Sequence, residues 1–181
     1  MKEQAIIREK LPLVADQEGV WDGEYVHFDA EHREIDRHRS RLVCRLFDGA
    51  DGEARLVQSN IYHWDDGSRE IRYFDGVFRD DRIWISNELI DGWTASIGLD
   101  ETGRSLMVAW VRVAEPDFRF YELITMAEDN DAKNRTWHWY RNGRLFQRTL
   151  INEVRVAHDW KPFDSDELYR FHARQSAGTP A

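Results

Sequence analysis

Cysteine is almost absent from this sequence, and so is any long apolar run. The single cysteine, Cys44, excludes a disulfide framework within the chain. No apolar stretch approaches the roughly 18 residues that a membrane-spanning helix needs, and the first residues contain no apolar core of a signal peptide. We therefore expect a soluble cytoplasmic protein without a membrane partner.

Basic residues are also too few for a typical nucleic-acid-binding protein. The 181 residues contain 25 Lys and Arg against 34 Asp and Glu, which gives a formal net charge of −9. Nucleic acids and anionic membranes bind clustered Lys and Arg, so this balance argues against both as partners. The stretch from Arg135 to Arg148 interleaves aromatic residues with arginines, as a base-stacking platform does, but the acidic total opposes that interpretation.

Aromatic residues, in contrast, are abundant, with eight Trp, nine Phe and six Tyr. Between residues 20 and 156 they fall in short runs rich in β-branched and aromatic residues, separated by turn signals such as D-D-G-S and R-N-G-R. The predicted strands are 20–28, 33–47, 55–64, 69–75, 77–79, 82–89, 93–99, 105–113, 118–126, 135–141 and 144–156. The short strand 77–79 is expected to continue strand 69–75 beyond a bend at Gly76. Because no connection is long enough for a crossover helix, the sheet is expected to be an antiparallel meander.

A meander of about eight to ten strands must protect its edges, and closure into a barrel does so. We therefore predict an all-β protein whose closed antiparallel barrel spans residues 20–157. A short helical lead over 1–19 precedes the barrel, and a helix and tail over 158–181 follow it. Asp164 and Glu167 have the spacing of a capping box, which predicts a helix over 165–174 that covers one end of the barrel.

The stretch from Glu24 to Ser40 is dense in histidine and charge, and its strand phase decides the functional prediction. If a four-residue loop joins strands 20–28 and 33–47, facing residues have numbers that sum to 61. Acidic side chains then face arginines on one side, as suits solvent, and a slip of one residue would mix the two faces. The outward face carries Arg37, Arg39 and Arg41. The inward face carries Trp21, Tyr25, Asp36, His38, Ser40, Leu42, Cys44 and Leu46.

The dipeptide Asp66-Gly67 fits a two-residue hairpin turn. That turn pairs Tyr62 with residue 71 and Asn60 with Tyr73 on one face of the hairpin. We expect this face, which continues to Gln58, to point into the barrel.

The dipeptide Asn142-Gly143 is the strongest hairpin signal in the chain. It pairs residues 140 with 145, 138 with 147 and 136 with 149 on the face expected inside. Arginines on the opposite face predict that Trp137 and Trp139 lie outside, with Arg148 stacked on Trp137. Exposed tryptophans there would meet the terminal helix or the partner subunit of a homodimer.

The predicted interior combines aromatic rings with a few polar groups, which is typical of a small-molecule pocket. Candidate ligand-binding residues are Trp21, Gln58, Asn60, Tyr73, Arg112, Glu122, His138, Tyr140 and Gln147. The sequence leaves the facing of Arg112 and Glu122 open. A barrel of this size has room for one small ligand, so we predict binding of a small, partly apolar, aromatic molecule.

The same face offers an acid–base set as an alternative function. His38 would act as a base oriented by Asp36, with Tyr25 or Tyr62 as the acid. Such a set supports a cofactor-free lyase, isomerase, cyclase or decarboxylase that acts on a small aromatic or carbonyl compound. The residues are equally consistent with an internal polar network that only fixes strand register. A third class, a ligand-free interaction module, would have a solidly packed interior.

No metal or other cofactor is predicted. In the predicted register His27 and His38 lie four rows apart, about 13 Å at 3.3 Å per residue, which is too far for a shared ion. His32 falls in the loop and His63 on the outer face. His158 follows the last strand, where a surface position is expected rather than a haem ligand.

The segment G-V-W at residues 19–21 resembles the G-x-W signature of lipocalin-like, or calycin, barrels. The start W-D-G is similar to that of nitrobindin-type and fatty-acid-binding barrels, and phenolic acid decarboxylases resemble the chain in architecture only. The motifs W-x-G-x-Y and G-R-L-x-Q-R-T-L resemble segments of uncharacterised bacterial lipocalin-like proteins. This resemblance implies a ligand-holding barrel over about residues 19–156. In it Trp21 plugs the closed end, and a late-strand arginine, Arg148 or Arg155, packs on that ring.

Overall fold

The computed structural model describes residues 5–98 and 102–176, and strands dominate that part of the chain. Two short helices, α1 (Ala5–Lys10) and α2 (Pro12–Ala15), come first. The next ten elements are β1 (Gly19–Asp29), β2 (Glu34–Asp48), β3 (Ala54–His63), β4 (Arg69–Arg79), β5 (Arg82–Ser86), β6 (Ile90–Ile97), β7 (Ser105–Arg112), β8 (Phe118–Met126), β9 (Ala132–Arg141) and β10 (Arg144–Ala157). Two 3₁₀ turns follow at Lys161–Phe163 and Asp166–Tyr169, and the last described element is β11 (His172–Gln175).

Strands β1 to β10 form one closed antiparallel barrel. Each strand pairs with the next along the chain, and β10 returns to pair with β1. Closure satisfies the backbone groups that an open meander would expose at its two edges. The predicted all-β meander barrel is therefore confirmed.

The pairing between β4 and β5 is among the shortest in the barrel. Four residue pairs join these strands, Gly76–Arg79 with Arg82–Ile85. The earlier part of β4 pairs with β3 on one side, and on its other side only Arg69 and Ile71 meet β11. Within the described residues, the flank of β4 over 72–75 therefore has no strand beside it.

The strand phase predicted for the first hairpin is confirmed. Trp21, Tyr25 and His38 are buried inside the barrel. The arginine row lies outside, where Arg41 forms a bidentate ion pair with Asp22 at 2.7 Å for both contacts. Opposite charges facing each other across an exposed strand pair thus fix which side of the hairpin meets water.

The register of this hairpin differs from the prediction by two residues. Tyr25 faces His38, and His27 faces Asp36. A shift of two residues keeps every side chain on its predicted face but changes its neighbours. The predicted separation of about 13 Å between His27 and His38 is wrong, since their ring centroids lie 5.2 Å apart.

The cause of this shift lies in the turn between β1 and β2. The Asp29 carboxylate accepts hydrogen bonds from the backbone N–H groups of Glu31 and Arg33 at 3.0 and 2.9 Å. This side-chain turn tightens the loop. A bulge after His27 then adds one unpaired residue to β2, and together the two features move the register.

The hairpin of β3 and β4 has a three-residue turn instead of the predicted two-residue turn. Trp64 closes it with Ser68, and Gly67 adopts a φ of 79°, which favours glycine. The register therefore moves by one residue, so that Asn60 faces Arg72. Tyr73 consequently points out of the barrel, and the prediction that it lines the interior is wrong.

The hairpin of β9 and β10 has the predicted two-residue turn, but a bulge at Phe146 shifts the strand beyond it. Trp137 and Trp139 are each only 7% exposed and lie in the core. The prediction that these rings lie outside is wrong, as is the inward facing predicted for His138 and Tyr140. Burial of two indoles outweighs the charge pattern of the arginines that suggested the opposite phase.

The cations that stack on the aromatic rings of this hairpin also differ from the prediction. Arg135, not Arg148, lies over the Trp137 ring, at 5.3 Å from its centroid. Arg148 instead contacts His32 on the surface, with its Nη2 2.7 Å from the His32 Nδ1. Because Trp137 and Trp139 are covered by the barrel itself, they give no support to a homodimer.

The N-terminal helices close the end of the barrel at which β1 begins. Their apolar residues join the main core, for example Ile7 and Val14, both with no exposed surface. The Trp21 indole N–H donates to the Gln17 carbonyl at 2.8 Å, and Arg155 lies 4.1 Å from the Trp21 ring centroid. None of the helices in residues 5–98 and 102–176 is long and apolar enough to cross a membrane.

The C-terminal segment runs along the outside of the wall, and the predicted helix over 165–174 is wrong. Leu168 packs with Val43, Ile61 and Ile71 in a small external cluster. The two residues of the presumed capping box have other partners, since Asp164 pairs with the buried Arg45 and Glu167 pairs with Arg69. These side chains hold the segment in an extended course with 3₁₀ turns rather than capping a helix.

Candidate functional site

A cavity of about 260 Å³ occupies the barrel at the end away from the N-terminal helices. Its walls are mainly aromatic, with two histidines, two arginines and one glutamine among them. The lining residues are Tyr25, His27, His38, Tyr62, Trp64, Arg72, Arg112, Phe118, Trp137, Trp139, Phe146 and Gln147. A smaller space of about 90 Å³ continues inward past Tyr62 and Trp137 toward Gln58 and Asn60.

A larger groove of about 630 Å³ lies on the outer wall. It is lined by side chains of the arginine row and of neighbouring strands, including Arg39 and Arg69. Its charged residues already pair with acidic partners, such as Arg69 with Glu167 at 2.9 Å. The barrel cavity is the better candidate site, because enclosure by aromatic walls removes a ligand from water.

Two histidines and an aspartate meet at the mouth of the cavity. The His38 Nδ1 lies 2.7 Å from the Asp36 Oδ2, and the His27 Nε2 lies 3.9 Å from the same oxygen. The Trp64 indole N–H donates to the Asp36 Oδ1 at 3.0 Å. Tyr25 stacks on the His38 ring, with centroids 5.0 Å apart. This arrangement fixes the orientation of the His38 imidazole through its Nδ1.

Burial keeps both imidazoles neutral. Desolvation, together with the neighbouring His38 ring, lowers the pKa of His27 to about 4, against the raising effect of Asp36. Desolvation also lowers the pKa of His38, although the hydrogen bond that His38 donates to Asp36 opposes the shift. A neutral imidazole has a nitrogen lone pair that can accept a hydrogen bond or bind a metal ion.

Beneath the histidines lies a fully buried ionic network. Arg135 donates to the Tyr25 hydroxyl at 2.9 Å and to Glu153 at 2.9 Å, and it also pairs with Glu122. Lys133 pairs with Glu153 at 3.2 Å. The two cations balance the two carboxylates, which makes burial of four charges tolerable. Glu122, whose facing the sequence left open, therefore points inward as part of this network.

A chain of hydrogen bonds runs along β3 toward the cavity. The Gln58 amide donates to the Asn60 Oδ1 at 2.7 Å, and the Asn60 amide donates to the Tyr62 hydroxyl at 2.8 Å. Desolvation raises the pKa of Tyr62, so the phenol stays protonated. Its O–H is then available to a ligand oxygen at the inner wall of the cavity.

Two arginines flank the cavity on the side of the barrel where β4 and β5 pair. Arg72 pairs with Glu70 at 2.5 Å and lies 5.5 Å from the Tyr62 ring centroid. Arg112, the other residue of open facing, lies 4.7 Å from the Phe118 ring centroid. Its Nε is buried without a hydrogen-bond partner among the described residues. Arg112 lines the cavity with donor capacity left at its Nε, while its Nη1 lies 3.6 Å from the Glu115 carboxylate and 42% of its side chain is exposed.

Most of the sequence-predicted site residues converge in the structure. Tyr25, His38, Tyr62, Arg112 and Gln147 line the cavity. Asp36 lies beside it, and Gln58 and Asn60 line the deeper space. Trp21 lies deeper in the barrel than these residues. The Lys133 Nζ is 4.2 Å from the Trp21 ring centroid.

Three predicted ligand-binding residues are outside the barrel. Tyr73 packs against Tyr169, with centroids 6.0 Å apart, and Tyr140 packs against the half-exposed Tyr121. His138 occupies the same outer face of β9. His158 is also on the surface, with 78% of its side chain exposed.

Sequence reasoning missed several residues of the site. Trp64, Arg72, Arg135, Trp137 and Trp139 were not assigned to the interior, although each contacts the cavity or its floor. The alternation of Trp137 and Trp139 on β9 was a usable signal, because alternate indoles match one buried face of a strand. The arginines gave no such signal, since their charge alone favours an exposed position.

Comparison with known proteins places the fold but not a family. No family model matches this sequence, and no curated protein matches it. A protein of unknown function from the DUF3598 family of Nostoc punctiforme superposes with a TM-score of 0.60 over 79% of this chain, at 18% identity. This chain spans 49% of that protein, about half its length.

Two other solved structures have similar folds. The S-type phycobiliprotein lyase CPES from Guillardia theta gives a TM-score of 0.62, covers 80% of this chain and 90% of its own, and is 14% identical. The protein Rv2717c from M. tuberculosis gives a TM-score of 0.51 over 81% of this chain and 96% of its own, at 12% identity. Together with the closed ten-strand barrel, these likenesses fit a lipocalin-like fold.

Proposed function

We propose that this protein binds a small, partly apolar, aromatic molecule inside its barrel. The observation that carries the proposal is the cavity itself: a partly open space walled by Tyr, Trp and Phe rings with a few polar groups at its edges. Such a combination buries apolar surface while polar groups fix orientation. The interior is therefore unlike that of a solidly packed interaction module.

The polar groups would form hydrogen bonds with different parts of the ligand. The Tyr62 hydroxyl, supported by Asn60, would donate to an oxygen at the inner wall. Gln147 would contact the ligand near the mouth, where its amide lies 2.9 Å from His27. Arg112 has an unsatisfied buried Nε and would favour a carbonyl or an anionic oxygen. Trp21 would act only as the structural floor beneath the ionic network.

The similarity to solved structures supports the barrel on which this proposal rests. One of these neighbours is named a phycobiliprotein lyase, and at 14% identity neither its activity nor its partner transfers to this chain. A cytoplasmic location, a homodimer and membership of a bacterial branch of lipocalin-like proteins stay predictions.

A second function, cofactor-free acid–base catalysis, is favoured by one specific observation. The Asp36 carboxylate orients His38 through a 2.7 Å contact and is itself held by Trp64. His38 would act as the general base and Tyr62 as the hydrogen-bond donor to a developing oxyanion. Tyr25 is less suited to act as the acid, because burial raises the pKa of its hydroxyl well above the ordinary value. The reaction would be that of a lyase, isomerase, cyclase or decarboxylase.

The binding proposal is tested by direct titration. Protein purified from its host is examined by native mass spectrometry for a retained small molecule. A panel of aromatic acids, phenols and carbonyl compounds is then titrated against tryptophan fluorescence, since Trp64, Trp137 and Trp139 line the cavity. Loss of one ligand hydrogen bond in Tyr62→Phe should weaken binding about fivefold.

Matched variants distinguish the cavity from the surface. Gln147→Ala should weaken binding, whereas Tyr140→Phe and His138→Ala on the outer face of β9 should leave it unchanged. If the cavity variants bind as well as the wild type, the cavity is not the site. His38→Ala separates the two functions: binding alone predicts altered affinity without turnover, whereas catalysis predicts product formation that His38→Ala abolishes while the fold persists.

A further inference from the structure

The strand register brings together a ligand set that sequence spacing concealed. His27 and Asp36 face each other across β1 and β2, and His38 follows two residues later on the same face. One ligand atom from each of these three residues lies within 4.8 Å of the others. Two imidazole nitrogens and one carboxylate oxygen are a set that Zn²⁺ and related divalent transition metals bind.

We propose that His27, Asp36 and His38 bind a divalent transition-metal ion of the zinc class at the mouth of the barrel. This goes beyond small-molecule binding and holds whether or not an organic ligand occupies the cavity. The three residues lie on two adjacent, hydrogen-bonded strands, so their backbones are held rigidly relative to one another.

The distances suit such an ion after small side-chain rotations. Ligands about 2.05 Å from a tetrahedral ion lie about 3.3 Å apart. The Asp36 Oδ2 lies 2.7 Å from the His38 Nδ1 and 3.9 Å from the His27 Nε2, so the observed separations fall on either side of that value. One ligand atom from each residue lies within 4.8 Å of the others, so the side chains must rotate toward a common point to meet one ion.

Outer contacts orient these ligands as they do in protein metal sites, where a ligating imidazole binds a second group through its other nitrogen. In the tautomer whose Nε2 is free to bind an ion, the His27 Nδ1–H donates to the Thr149 Oγ1 at 2.7 Å. That contact leaves the His27 Nε2 directed toward Asp36. The other Asp36 oxygen accepts the hydrogen bond from Trp64, which holds the carboxylate in place.

The local charges also permit a cation. Asp36 supplies one negative charge, and the nearby Arg72 is neutralised by Glu70 at 2.5 Å. Three protein ligands leave at least one coordination position open, and here that position faces the aromatic cavity. A water molecule or a ligand oxygen would fill it, as in metal sites that keep a position open for substrate.

The proposal is tested with protein stripped by a chelator and without added organic ligand. Zn²⁺ binding is measured by calorimetry, and Co²⁺ binding by its visible absorption. The expected result is one ion per chain, bound at least about 100-fold more weakly by His27→Gln and His38→Gln, and about 10-fold more weakly by Thr149→Val. His63→Gln on the outer wall is the matched control and should bind as the wild type does.

Several outcomes would overturn the proposal. These are a wild-type protein that binds no ion at micromolar concentrations, a His27→Gln/His38→Gln double variant that binds as tightly as the wild type, or a loss of binding in His63→Gln alone. Circular dichroism checks that each variant folds. If His38→Gln does not fold, His27→Gln and Asp36→Asn carry the test, because both residues lie nearer the rim. Small-molecule binding is measured separately, so either result stands without the other.

Discussion

The Arg155 guanidinium lies 4.1 Å from the centre of the Trp21 ring. It also donates to the backbone carbonyls of Asp16 and Glu18 at 2.6 and 2.7 Å, and to that of Asn130 at 2.8 Å. One side chain near the end of the last barrel strand thus joins the chain entering the first strand to the turn between β8 and β9. The lipocalin-like resemblance implied such an arginine on Trp21, and Arg155 is the residue that supplies it.

Arg155→Ala should lower the free energy of unfolding by about 2–4 kcal/mol. The variant loses a desolvated cation–π contact and leaves several carbonyls without a donor. Urea denaturation followed by tryptophan fluorescence measures the change. Arg144→Ala, at an exposed position of the same strand, should change stability by less than about 0.5 kcal/mol. Equal effects of the two substitutions would show that the Arg155 contacts do not stabilise the fold.

Gly92→Ala should destabilise the barrel, because β6 and β7 approach closely at this residue. A methyl group at Gly92 would overlap the Trp110 side chain and the Ala109 carbonyl oxygen. Since these atoms belong to a paired strand, the clash should cost about 1–3 kcal/mol. Gly98→Ala, where a methyl group meets open space, is the control. Thermal unfolding of both variants gives the comparison, and a stable Gly92→Ala protein would contradict the described strand approach.

Glu153 should make the barrel sensitive to acid. Burial by itself raises the pKa of Glu153, but Lys133 and Arg135 outweigh it and hold that pKa below its ordinary value. A carboxyl with a depressed folded pKa contributes stability above its unfolded pKa of about 4.3, and this contribution is lost as pH falls through the folded value. The wild type should therefore lose stability steeply below about pH 4.3.

Glu153→Gln is the variant that isolates this effect. It should be less stable than the wild type at neutral pH, and the difference should shrink as the solution is acidified below about pH 4. Glu167→Gln removes a surface partner of Arg69 and should change stability by less than about 1 kcal/mol at any pH. Parallel pH profiles of unfolding free energy for wild type and Glu153→Gln would contradict the role given to the buried pairs.

Asp164→Asn should release the C-terminal segment from the wall. Asp164 accepts from the buried Arg45 at 3.0 Å and from the Tyr169 hydroxyl at 2.9 Å. Without the carboxylate, the Arg45 charge loses its counter-ion, at a cost of about 1–3 kcal/mol for this partly exposed pair. Amide exchange in residues 161–175 should accelerate, and trypsin should cut after Arg170 sooner. Asp117→Asn, at an exposed turn position away from this segment, should leave both rates unchanged.

The fold was predictable because its signals are local and repeated. Short aromatic and β-branched runs separated by turns define the strands, and the facing of the first hairpin followed from its opposed charges. The placement of Tyr25 and His38 in one cavity followed from that facing, whereas Gln147 shares this cavity because of the bulge at Phe146. The facing of the first hairpin needs only the two-residue period of a strand.

The exact neighbours of the site were not predictable, because they depend on turns and bulges. The Asp29 turn and the bulge after His27 together moved one register by two residues, and the bulge at Phe146 exchanged the two faces of β9 relative to the prediction. A bulge adds one residue without a strong sequence signature. Contacts that form when the barrel closes also leave no local signal in the sequence. Arg135, for example, donates a hydrogen bond to a tyrosine 110 residues away. The metal-ligand set emerged only from the corrected register.

The short pairing of β4 with β5 affects the size of the ligand that the barrel can hold. Beside it lies a depression of about 230 Å³ lined by residues that include Phe74, Leu89 and Phe171. Arg72 and Arg112 border both this depression and the inner chamber. A molecule too long for the chamber would therefore have a sideways exit between two arginines. The length of a bound molecule would then be limited by this opening beside β4 rather than by the depth of the barrel.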